Sequence, residues 1–86
     1  MITVTLAKFR RRPSSDELQR PRKVVEGAGG KILSAYWTFG RFDAVFTCEW
    51  PDEKAAMKAI SQLLDVASSE TMVAIPREEA IKLAGY

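Results

Sequence analysis

Ile2, Val4 and Leu6 alternate with Thr3, Thr5 and Ala7 at the head of the chain, which is the two-residue period of a β-strand. Arg10–Pro13 break the alternation. Ser14 with Glu17 three residues later then forms a capping-box pattern, with Asp16 also favourable in a first helical turn. Leu18, Val25 and Ala28 fall on one helical face, and Gly29 or Gly30 ends the element. Pro21 removes a backbone hydrogen bond and costs about 3 kcal/mol in a helix interior, so a kink is predicted, or a helix that starts near it.

Lys31–Phe39 and Phe42–Trp50 read as a hairpin around Gly40-Arg41. Pro51 cannot extend a ladder, and Asp52 suits the N-cap of a second helix. Ala56, Ala59, Ile60, Leu63, Leu64 and Ala67 keep the spacing of an amphipathic helix. Glu70–Ile75 reads as a fourth strand, and Pro76 opens a short helix over Arg77–Leu83. The order β-α-β-β-α-β plus a tail helix is the split βαβ pattern. It predicts a ferredoxin-like α+β sandwich with an antiparallel sheet and both main helices on one face.

A sheet covered on one side leaves its other face open, at about 400 Å² for four strands of ordinary length. A two-residue turn at Gly40-Arg41 would pair Phe39 with Phe42, Thr38 with Asp43, Tyr36 with Val45 and Ser34 with Thr47. Leu33, Ala35, Trp37, Phe39, Phe42, Ala44, Phe46 and Cys48 would then lie under the helices with Val4 and Leu6. Thr3, Thr5, Ala7, Ser34, Tyr36, Thr38, Asp43, Val45, Thr47 and Glu49 would form the open face. That face carries no lysine or arginine and many hydroxyls, which suits a sheet-to-sheet homodimer around a partly polar cavity. Tyr36, Asp43, Thr5, Thr38 and Thr47 are the ligand-binding candidates: Tyr36 as a donor to a ligand oxygen, Asp43 as a base or orienting group. Alternatively, Asp43 caps a backbone N–H near the turn and Tyr36 packs across the dimer.

At 86 residues the chain has room for one domain spanning 1–86. It is 47% hydrophobic and 28% charged, which is a globular composition. Its net charge of +2 is carried largely by Arg10, Arg11, Arg12, Arg20, Arg22 and Lys23. Such a cluster can meet an acidic partner, but no recognition helix or stacking motif accompanies it, so nucleic-acid binding is not expected. One cysteine, Cys48, excludes an internal disulfide, and the absence of a signal-like or membrane-spanning run points to the cytoplasm.

The chain has no histidine, which excludes His-ligated haem or zinc and Ser-His or Cys-His nucleophilic pairs. No cofactor motif is found and none is expected. Gly27, Gly29 and Gly30 follow a helix, whereas phosphate-binding glycines precede one. Cys48, Trp37 and Trp50 read as packing residues. The adjacent pairs Asp16-Glu17 and Glu78-Glu79 do not face each other on a helix, so neither is a carboxylate dyad.

Gly29-Gly30-Lys31, Tyr36-Trp37-Thr38-Phe39-Gly40-Arg41-Phe42-Asp43 and Glu49-Trp50-Pro51-Asp52-Glu53 together resemble the GYD-domain family, whose signature is a glycine, a tyrosine and an aspartate around the hairpin turn. The alanine-rich helix, the strand through Val73 and the Pro-Arg-Glu-Glu tail extend the similarity over nearly the whole chain. Phe42 stands where a tyrosine belongs, so any role of that hydroxyl is absent. The resemblance implies a dimeric α/β barrel and no particular reaction. Three functions are compatible with the residues. They are a homodimeric small-molecule-binding or accessory protein, a cofactor-independent oxygenase or isomerase using Tyr36 and Asp43, and an interaction module using Arg10–Arg12.

Overall fold

A computed structural model describes residues 1–86. Its elements are β1 (Ile2–Phe9), α1 (Ser15–Gly27), β2 (Lys31–Trp37), β3 (Ala44–Glu49), α2 (Glu53–Ser61), β4 (Ala67–Ala74) and α3 (Arg77–Leu83). The sheet is antiparallel throughout in the order β2-β3-β1-β4. The α+β, ferredoxin-like expectation is therefore met.

Local signals account for the helix ends. The Ser14 hydroxyl accepts from the Glu17 N–H while the Glu17 carboxylate accepts from the Ser14 N–H, a complete capping box. At the other end Gly29 takes φ +83°, and the N–H groups of Gly30 and Gly29 donate to the carbonyls of Val25 and Glu26. Those two bonds are a Schellman stop. Pro21 lies within α1, which runs from Ser15 without interruption. Asp52 caps α2 by accepting from the Ala55 N–H. This helix ends at Ser61, so Leu63, Leu64 and Ala67 are not helical as their spacing suggested. Ala67 instead begins β4, three residues before the predicted start of that strand.

The core cluster consists of Val25, Cys48, Trp50, Ala56 and Ala59, flanked by Val24, Ile32, Phe46 and Ile60. Burial pushes the Cys48 thiol pKa up, in keeping with a packing residue. Two features change which side chains face it. First, Thr3, Thr5 and Ala7 pair with Cys48, Phe46 and Ala44, so these three point toward the helices and are buried. Val4 and Leu6 pair with Thr47 and Val45 and lie on the open face. This is the reverse of the sequence expectation for β1. Second, a bulge between Ile32 and Ser34 shifts the parity of β2, so Ile32 rather than Leu33 pairs with Cys48.

From Ser34 to Trp37 the hairpin register agrees with expectation: Ser34 opposes Thr47 and Tyr36 opposes Val45. The ladder ends at the Trp37–Ala44 pair, and the Thr38 N–H to Asp43 carbonyl bond closes a loop longer than two residues. Phe39, expected in the core, is fully exposed at its tip, and Trp37 is 69% exposed although it lies on the helix side.

The open face therefore carries Ile2, Val4, Leu6, Tyr36, Val45 and Met72 around the hydroxyls of Ser34 and Thr47, which bond each other at 2.6 Å. Lys31 and Lys8 lie at its margins, so the face is more apolar at its centre and more charged at its rim than the sequence suggested. A folded monomer of 9.6 kDa exposes about 5,100 Å² by the usual scaling with mass, whereas this chain exposes 6237 Å², an excess of about 1,100 Å².

Candidate functional site

The enclosed space lies between the sheet and the helices. Its origin is the pairing of Ala7 with Ala44: two methyl groups stand side by side on central strands where larger side chains would reach the helix layer. Ala35 and Ala67 extend this low floor, and Phe9, Trp37 and Phe46 wall it on the sheet side. Leu18 and Pro21 of α1, Ile60 of α2, and Leu63 and Val66 from the following turn form the roof. The volume is about 200 Å³, and thirteen of the nineteen lining residues are hydrophobic.

Polar groups enter at two places. On the floor, the Thr5 and Thr71 hydroxyls bond each other at 3.0 Å, with Ser69 on the same side of β4. At the rim stand Glu17 and Arg22. A shallow depression lined by Arg12, Ser14 and Ser15 shares Phe9, Pro13, Leu18 and Trp37 with the cavity, which places the opening where α1 begins. Trp37 stands at this opening, edge-on to Phe9 with ring centroids 5.3 Å apart.

The rim charges are already matched. Arg11 grips Glu17 with two hydrogen bonds of 2.8 and 2.9 Å. That fork, with the Ser14 N–H, holds the Glu17 carboxyl down to about 2. Arg22 pairs with Glu26 at 3.3 Å, while Arg20 pairs with Asp65 at 2.8 Å and lowers its pKa. The Arg10 guanidinium donates to the Leu64 carbonyl. Of the Arg10–Arg12 cluster, only Arg12 is left without a carboxylate or backbone acceptor for its side chain.

Of the five candidate ligand residues, Thr5 and Tyr36 border the cavity, and they do so from different faces of the sheet. Placing Thr5 on the open face with the other four is corrected by its pairing with Phe46 and its burial. The Tyr36 side chain lies on the open face beside Val45 and is 65% exposed. Thr47 is also on that face, bonded to Ser34. Thr38 donates its hydroxyl to the Phe42 carbonyl at 2.8 Å within the hairpin loop. Asp43 accepts the Phe9 N–H at 2.8 Å and meets Lys8 at 3.5 Å, so its carboxylate ties the hairpin to β1. This is the capping role, exercised on a neighbouring strand.

Sequence reasoning did not find Leu18, Phe46, Leu63, Val66 or Ser69 as cavity residues. The available signal was Ala7, Ala35 and Ala44, whose small size at helix-facing positions becomes visible only once the phase of β1 is known.

No group of histidine, cysteine, aspartate or glutamate side chains is arranged to hold a metal. No helix is long and apolar enough to cross a membrane. A comparison with curated proteins gives no match. The family model of the GYD domain matches residues 5–84, which takes in the cavity, the hairpin and all of α3. The chain belongs to the GYD-domain family.

Proposed function

We propose that the protein is a homodimer that binds a small, largely apolar, uncharged molecule in the cavity between sheet and helices of each protomer. The observation that carries this reading is the 200 Å³ space over the Ala7–Ala44 pair, apolar on most sides and open beside Trp37. Dry apolar cavities of about 150 Å³ accommodate a benzene-sized ring, so a single ring with a short substituent fits. The matched charges of Glu17 and Arg22 leave no buried counter-charge for an ion, and the hydroxyls of Thr5 and Ser69 suit one carbonyl or hydroxyl group.

Dimerisation is supported by the apolar centre of the open face and by the exposure excess of about 1,100 Å², against the roughly 800 Å² per partner of a standard stable interface. The apolar patch would otherwise stand in water near the largest size that monomers carry.

Thermal denaturation in the presence of neutral monocyclic phenols, ketones and hydrocarbons tests the reading. A ligand at one hundred times its dissociation constant adds about 2.7 kcal/mol, or about 10–20 °C for a domain of this size. Ser69→Leu, which projects bulk into the cavity from an edge strand, is expected to abolish that shift. A panel with no stabilising compound, or a shift undiminished in Ser69→Leu, removes the cavity from consideration.

A further inference from the structure

The C-terminal helix is specified closely by its own sequence yet packs on nothing in its own chain. Glu78 and Glu79 stand in its first turn and Lys82 in its last, each matching the helix dipole. It stops at a second Schellman motif: the Tyr86 and Gly85 N–H groups donate to the carbonyls of Ile81 and Lys82, with Gly85 at φ +89°. Despite this, none of its residues is buried, and its hydrogen bonds and ion pair are all local. Leu83 is 71% and Tyr86 94% exposed. A helix of seven residues does not persist in water on capping alone; it needs a surface against its apolar side.

We propose that α3 is an arm that docks on a second copy of this chain, with Ala80, Leu83 and Ala84 as its contact stripe. The occupant follows from area. The open sheet face spans about 400 Å², less than half of the exposure excess of about 1,100 Å² and about half of what one partner contributes to a stable interface. Face-to-face packing alone leaves the dimer short, and α3 is the unpacked element that makes up the difference. It follows directly from β4, the edge strand that carries Met72 on the open face, so the arm leaves the sheet at the border of that face. In an isologous pair each protomer gives its arm and receives the other's, so the contribution counts twice.

The inference rests on the homodimer reading, and its test separates the two. Leu83→Glu leaves the protomer intact, because Leu83 touches no core residue, and is expected to raise the dimer dissociation constant at least tenfold in sedimentation equilibrium. In mixed dimers, a spin label on Tyr86→Cys in an unlabelled chain is expected to broaden amide signals of a ¹⁵N-labelled partner. Cys48, being buried, does not take the label. A Leu83→Glu dimer as tight as the parent, with no broadening between chains, overturns the arm while leaving the dimer. Broadening seen only when label and ¹⁵N share one chain means that α3 folds back on its own domain, which also overturns it. A parent chain of single-chain mass at micromolar concentration overturns both readings.

Discussion

The Trp50 indole N–H donates to the Thr3 hydroxyl at 2.8 Å, with both side chains buried under the helix layer. This bond explains a threonine in the core: it satisfies the one polar atom of the largest core side chain. Thr3→Val preserves shape and leaves the indole N–H orphaned, which costs about 1–3 kcal/mol. Chemical denaturation of Thr3→Val should show a lower midpoint with unchanged slope. Stability equal to the parent would mean that water reaches the indole.

Gly30 is needed for space. A Cβ there would sit 2.6 Å from Cε3 and 2.8 Å from Cζ3 of Trp50, so the ring must move or the Schellman turn must open. Gly30→Ala is expected to destabilise by about 1–3 kcal/mol, the cost of overpacking. Gly27→Ala, with nothing within 4 Å, serves as the control and should be neutral or stabilising. Equal melting temperatures for the two variants would contradict the close approach.

Acid should unpick the start of α1. The Glu17 carboxyl is held at about 2 in the folded chain against an ordinary 4.5, through Arg11 and the Ser14 N–H. A folded-state value below the unfolded one adds stability above pH 4.5, which is lost as pH falls toward 2. Asp65, lowered by Arg20, acts in the same direction. Glu17→Gln keeps the capping bond but loses the ion pair. It should melt below the parent at pH 7, and the gap should close between pH 4.5 and 2. A gap constant with pH would assign the effect to packing.

The open face gives a direct test of assembly. Val45 stands between Leu6 and Tyr36 at its centre. Val45→Lys places a charge there and should yield species of single-chain mass, with far-ultraviolet circular dichroism unchanged. A Val45→Lys variant that still sediments as a dimer would move the proposed interface elsewhere.

Asp43→Ala should lower stability by about 1–2 kcal/mol, because the Phe9 N–H loses a charged acceptor. Ligand affinity per folded molecule should not change. A loss of affinity beyond that of stability would return Asp43 to the binding candidates.

Element order, the capping signals at Ser14 and Asp52, the glycine stop and the Ser34–Thr47 and Tyr36–Val45 pairs were all legible along the chain, whereas a start of α1 at Ser15 rather than near Pro21 was not. Each legible feature rests on residues within a few positions of one another: Ser14 with Glu17, Asp52 with Ala55, Gly29 with Glu26, or two strands joined by one loop. The candidate site was not legible in the same way. Hydrophobicity favoured Val4 and Leu6 as interior, whereas the core takes Thr3, Thr5 and Ala7.

The physical reason is that strand phase is a tertiary property. Alternation says that a strand has two faces; which of them is covered depends on the partner strand and its register. For β1 that partner is β3, some forty residues away, and for β2 a single bulge at Leu33 reverses the parity halfway. Sequence alone determined the inventory of helices and strands, the absence of histidine chemistry and the family. The tertiary structure decided that two alanines meet under the helices to leave a cavity, that Asp43 ties β1 to the hairpin, and that a terminal helix with a glycine stop is left with no surface of its own chain to cover it.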